Sequence, residues 1–226
     1  MTRASRLEVV MAAVVAVVLI GAAYAVGRSS APDHTVTSAH GTPAEPGAAD
    51  IGFAQDMATH HDQAVLMAQL ALPRATPTVR AIAQSILISQ SQEVGLLRGW
   101  LRLWKAPGDD PHPMSWMNGA GGTSDMSAMT PGKSMGPDAL MPGMASPPQL
   151  DRLYRLTGRK FDVMFLQLMI RHHEGGLLMT QAALAEHTLA TTKAAARGIS
   201  SEQIEELGTM RALLAADGGT TLPVPS

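Results

Sequence analysis

The 226-residue chain contains no cysteine, which excludes disulfides, thiolate metal sites and cysteine nucleophiles. Aromatic residues make up only 4% of it and charged residues 16%. With 17 Lys and Arg against 19 Asp and Glu, the formal net charge is -2, so there is no basic surplus to neutralise a phosphate backbone and nucleic acid is excluded as a partner. Catalytic signatures are missing as well. The sequence has no Gly-x-Ser-x-Gly, phosphate-binding Walker loop, Gly-x-Gly-x-x-Gly or His-Glu-x-x-His, and His173-Glu174-Gly175-Gly176 lacks the second His of a zinc protease helix. A binding role is therefore expected ahead of catalysis. What the chain does have is 46% apolar residues, enough for a core, together with fifteen Met and eight His.

Arg3 and Arg6 precede an uncharged apolar run over residues 9–26, and Arg28 follows it. As a helix the run would span about 27 Å, close to the thickness of a hydrocarbon core. Residues 1–28 are thus expected to be an N-terminal transmembrane signal anchor, with Ala23-Tyr24-Ala25 offering a signal-peptidase site as the alternative. The arginines hold the N-terminus inside and send the remainder out of the cytoplasm, tied to the membrane by this helix or secreted after cleavage. Residues 29–49 read as a flexible tether.

The rest of the chain carries one pattern written twice. An offset of 112 residues pairs Asp50 with Asp162, Phe53 with Phe165, Met57 with Met169, His60 with His172, His61 with His173, and Met67 with Met179. One residue more of offset pairs Gln90 with Gln203 and Glu93 with Glu206. The expected units are residues 50–104 and 149–217, each a helical hairpin, with a tail over 218–226. Helices are expected over 50–72, ending at Pro73, and over 78–104, 150–156, 160–187 and 191–216, with no strands. Two hairpins that cannot bury their apolar faces alone should dock as an all-α four-helix bundle.

At 100° per residue, Asp50, Phe53, Met57, His60, His61 and Ala64 share one helix face, and Asp162, Phe165, Met169, His172, His173 and Gly176 share the equivalent one. If those faces meet, four imidazoles and two thioethers converge. Imidazole is a common metal ligand and thioether a soft one that suits Cu(I). Glu93 and Glu206, on the partner helices, could orient the rings by accepting from their second nitrogen. Such imidazole sites are expected to weaken as pH falls through about 6.5.

Between the units, residues 105–148 form a Met-, Gly- and Pro-rich linker expected to be mostly unstructured. Met-x-x-Met occurs there at Met114 and Met117, Met126 and Met129, and Met141 and Met144, with His112 adjacent to the first pair. In a segment with no core to fill, these residues read as an auxiliary soft-metal site.

The motifs Asp50-x-x-Phe53-x-x-x-Met57-x-x-His60-His61 and Phe161-Asp162-x-x-Phe165-Leu166-x-x-Met169-Ile170-x-His172-His173-Glu174-Gly175 resemble those of the bacterial secreted family called domain of unknown function 305. The resemblance covers nearly all of residues 50–216. It implies a ferritin-like bundle of two repeats, exported or membrane-anchored, and some members are associated with periplasmic copper binding. Carried onto this chain, it implies copper as the bound ion, with His60, His61, His172 and His173 as ligands and Met57, Met169, Met67 and Met179 as thioether candidates. The expected function is copper sequestration or delivery outside the cytoplasm. A metal-dependent oxidase and a metal-free envelope interaction module are the alternatives.

Overall fold

The computed structural model describes residues 44–119 and 141–223. Five α-helices account for most of them: α1 Ala48–Arg74, α2 Pro77–Leu103, the short α3 Pro147–Arg155, α4 Gly158–Ala185 and α5 Ala190–Ala216. A 3-10 turn, Ser115–Gly119, follows α2, and the described residues contain no strand. None of the described helices is long and apolar enough to cross a membrane, and the expected N-terminal anchor over residues 1–28 lies outside the described residues.

Local sequence sets the helix ends. Gly47 N–H donates to Asp50 Oδ2 at 2.9 Å, which starts α1. Pro77 occupies the first turn of α2, where a missing N–H costs nothing. The expected stop at Pro73 is corrected by two residues, to Arg74. Pro73 lies inside α1, close enough to its end that only one bond of the last turn is lost, and Ala75 N–H still returns to Ala71 O at 2.8 Å.

Burial sorts the helices into an inner and an outer pair. In α2 the buried positions are Val79, Ala83, Ile86, Gln90, Val94, Leu97 and Leu101, and in α5 they are Thr192, Ala196, Ile199, Gln203, Leu207, Met210 and Leu214, a single stripe with the same spacing in both. By contrast α1 buries 15 of its 27 residues and α4 buries 16 of 28, so these two form the interior. They run antiparallel, as cross-caps at the two ends demonstrate. Asp50 near the start of α1 accepts from Leu189 N–H at 2.8 Å and Thr192 Oγ1 at 2.6 Å, at the start of α5. Asp162 of α4 accepts from Thr76 N–H at 3.1 Å and Thr76 Oγ1 at 2.5 Å, at the start of α2. Each carboxylate meets the positive end of an outer helix belonging to the other hairpin.

The apolar core falls into two clusters. One holds Met67, Phe161, Phe165 and Met169; the other holds Phe53, Met57, Trp116 and Met179. Between them lies a polar layer made from the middle of all four long helices.

The linker differs most from expectation. Residues 105–119 and 141–146 pack against the helices. Asp56 Oδ2 accepts from Met114 N–H and Trp116 Nε1, both at 2.7 Å, and Trp116 meets Phe53 edge-on at 5.9 Å. Gln55 Nε2 donates to Pro107 O, while Gln63 exchanges two bonds with Ala145 at 3.0 and 2.6 Å. Arg171 donates to Gly143 O, Met144 O and Gln149 Oε1. Buried polar side chains thus satisfy the loop backbone, which is why a Gly- and Pro-rich segment can be ordered against a core.

Candidate metal centre

Each inner helix contributes an adjacent His pair to the polar layer, and all four imidazoles are fully buried. The His60 and His172 rings lie 3.8 Å apart between centroids, inclined by 32°. His60 Nε2 donates to Pro142 O at 3.0 Å, and His172 Nε2 donates to the His60 carbonyl at 3.0 Å. His173 Nε2 donates to Glu206 Oε2 at 2.6 Å. His61 Nε2 stands 2.8 Å from Glu93 Oε2, an ion-pair distance without the alignment of a hydrogen bond. Glu206 thus accepts from a ring nitrogen as the sequence expected, whereas Glu93 stands beside His61 without that bond.

Because carbonyl and carboxylate oxygens only accept, His60, His172 and His173 each carry a proton on Nε2, and in the neutral rings of His60 and His172 this leaves a bare lone pair on Nδ1. No Nδ1 of the four rings has a hydrogen-bond partner, and neither does any side-chain polar atom of Gln90 or Gln203. Nine of the eleven buried unpartnered side-chain atoms among the described residues belong to this layer. Buried polar groups are rarely left unmade, and here the exceptions are concentrated in one place.

Burial keeps the rings of His60, His61 and His172 neutral. Burial, followed by the neighbouring His61, pushes His60 down to about 3, and burial followed by His173 does the same to His61. His172 is held well below 6.5, first by burial and then by His60. The expectation that imidazole sites weaken near pH 6.5 is corrected accordingly: for His60 and His61 proton competition begins far lower. Glu93 is pushed up to about 7 by burial and by the facing Glu206.

The thioethers are arranged differently from expectation. Met57 does not join Met169. Antiparallel packing puts Met57 in one cluster with Met179 and Met169 in the other with Met67, on opposite sides of the histidine layer. The notion of a coreless linker fails for Met114 and Met141, which are buried, and for Met117 and Met144, which pack half-buried against the same cluster. His112 is exposed and its backbone N–H donates to Asp110 Oδ1. Met126 and Met129 lie outside the described residues.

Sequence reasoning missed the loop that covers His60. Pro142 O reaches the ring because Gly175 on α4 has no side chain, and a Cβ there would fall on that oxygen. Gly143, at φ +79°, turns the chain against the Arg171 carbonyl, where again only glycine fits. Two consecutive glycines inside a helix, Gly175-Gly176, were the readable signal of such a close approach.

The layer suits a borderline or soft cation in its donors: imidazoles with unpartnered Nδ1 atoms, buried away from competing water. Among the described residues, however, no group of three or more His, Asp or Glu side chains is gathered so as to hold a metal ion. The imidazoles are available donors, and loading would have to draw them together.

Fold and site together define an all-helical protein with a buried histidine layer between two hairpins. The family described as Domain of unknown function (DUF305) matches residues 50–214, and the chain belongs to that family. A DUF305 protein of Streptomyces coelicolor, described as secreted, is 34% identical, with 77% of this chain and 96% of that one covered and a TM-score of 0.66. A DUF305 fragment from Deinococcus radiodurans is 28% identical, covering 76% of this chain and 99% of its own, with a TM-score of 0.60. CopM in its Cu(II)-bound form shares the fold at 21% identity, covering 74% of this chain and 96% of CopM, with a TM-score of 0.52. No curated protein matches the sequence.

Proposed function

We propose that this protein binds copper outside the cytoplasm and sequesters or delivers it, using His60, His61, His172 and His173, with thioethers of Met57, Met169, Met67 and Met179 nearby. The observation that carries the reading is the set of four buried Nδ1 atoms without a partner, three of them on rings whose Nε2 proton is fixed by an acceptor. Acceptor-fixed rings of this kind are how proteins present imidazole to a metal. CopM, which has the same fold, has Cu(II)-bound and Cu(I)-bound forms. Export rests on the apolar run over residues 9–26 and on the secreted description of the Streptomyces relative.

The test is a competitive Cu(I) titration of the full chain against a chromophoric chelator under anaerobic conditions, repeated with Cu(II) and Zn(II). A variant with all four histidines changed to Ala, checked for helicity by circular dichroism, should lose competition. A parent chain that competes for none of the three ions would overturn the proposal.

A further inference from the structure

The two apolar clusters that flank the histidine layer are built from different side chains. In the cluster around Phe161 and Phe165, the buried members include three Met against eight Val, Ile and Leu. In the cluster around Phe53 the proportion reverses, with Met57, Met114, Met141 and Met179 against only Leu97, Leu101 and Ile199. Met117 and Met144 pack against the outside of this second cluster, half-buried. Both Met-x-x-Met pairs within the described residues of the linker therefore enter the same end of the fold.

The backbone brings these residues in from four directions. Met114 is fixed by its N–H to Asp56 Oδ2 at 2.7 Å, beside Met57 in sequence. It also holds φ +67°, a left-handed conformation that costs a residue with a side chain and persists only where surrounding contacts impose it. Met141 leads into Pro142, whose carbonyl lies between the His60 ring and Gly175. Met57 is one helical turn before His60, and Met179 is one turn after Gly175, so both belong to this end of the layer.

Resting on the copper reading above, we infer that Met57, Met114, Met141 and Met179, with Met117 and Met144 on the solvent side, form a thioether site for a soft monovalent cation, Cu(I) or Ag(I), separate from the imidazoles. Thioethers carry no proton to displace and favour soft monovalent ions, while the neutral imidazoles also serve divalent ones. The half-buried pair gives the ion a stepwise path from the surface. The site is one-sided: Met67 and Met169, in the aliphatic cluster, take no part in it.

The test uses the full chain with Met126, Met129 and Met135 changed to Leu, so that sulfur in residues 120–140 does not contribute. X-ray absorption of the Cu(I)-loaded protein should show sulfur neighbours, and their absence overturns the inference. Changing Met57, Met114, Met141 and Met179 to Leu keeps volume nearly constant and should leave the fold intact. Cu(I) and Ag(I) affinity should then fall about tenfold or more, the scale on which metal sites respond to lost partners, with Cu(II) affinity unchanged. Met67→Leu with Met169→Leu is the control. Equal losses in both sets, or no loss in the first, would also overturn the inference. Failure of the imidazole reading shows separately, as unchanged Cu(II) binding in the four-histidine variant.

Discussion

The His60 and His172 rings lie 3.8 Å apart between centroids, tilted by 32°, and His172 Nε2 donates to the carbonyl of His60 itself, so each histidine forms part of the other's surroundings. An ordinary imidazole near 6.5 would take up a proton in mild acid, but a charged ring here would face a second ring and no water. Nitrogen-15 NMR should find His60 and His172 as neutral Nε2–H tautomers at pH 7. Neither should titrate in the ordinary imidazole range, and a titration near 6.5 would contradict the burial.

The same burial predicts how stability follows pH. His60 and His61 have folded values of about 3, and His172 is also lowered, whereas the unfolded chain takes up these protons near 6.5. Their contribution is present above 6.5 and lost as pH falls through that window. Asp56, raised to about 6, and Glu93, raised to about 7, act oppositely: their contribution is present at low pH and lost as pH rises. Three imidazoles outnumber two carboxyls, so the melting temperature should fall as pH drops below 6.5, gently while the carboxyls oppose the loss and steeply between the ordinary glutamate value of 4.5 and about 3. A melting temperature constant down to pH 3 would refute this.

Gln90 and Gln203 are buried with no partner for either amide atom, and Gln203 occupies the space opened by Gly176. Replacing both with Leu should stabilise the metal-free protein by about 1–2 kcal/mol, because an unmade polar group is removed at nearly constant volume. Urea midpoints would measure it, and destabilisation would show that the amides have a structural role.

Asp50 and Asp162 tie each hairpin to the other through helix starts. Thr192→Val keeps the shape and removes the hydroxyl donated to Asp50, and should cost about 1–2 kcal/mol. Asp162→Ala should cost at least as much and speed hydrogen exchange at the start of α2. Unchanged exchange there would mean that the cap does not secure the hairpin.

Gly175→Ala places a methyl group on the Pro142 carbonyl. The loop over residues 141–146 must then lift and break the His60 bond, at a cost of about 2 kcal/mol or more. Thermal melting would test this, and a variant as stable as the parent would show that the loop does not seal the histidine layer.

Much was determined by the sequence itself. Apolar spacing and the Pro and Gly positions located all five helices to within a few residues, because caps and periodicity act locally. The doubled Met-x-x-His-His pattern singled out the four histidines, since adjacent His pairs on an apolar face are costly to bury without a role. Glu93 and Glu206 were also legible, through their matching positions on the outer helices.

Tertiary structure alone decided which residues meet. A repeat offset pairs Met57 with Met169, but antiparallel packing of α1 against α4 exchanges them, so that Met57 joins Met179 and Met169 joins Met67. It also decided the fate of the linker ends, whose glycines and prolines predict irregular chain but not the buried Asp56, Gln63 and Arg171 that hold them down. Those contacts join residues far apart in the chain, and local periodicity carries no information about such pairs. The protonation of the histidines is likewise a tertiary property: His60 and His61 are driven to about 3 first by complete burial, then by His61 for His60 and by His173 of α4 for His61, and no pattern along one helix encodes that burial.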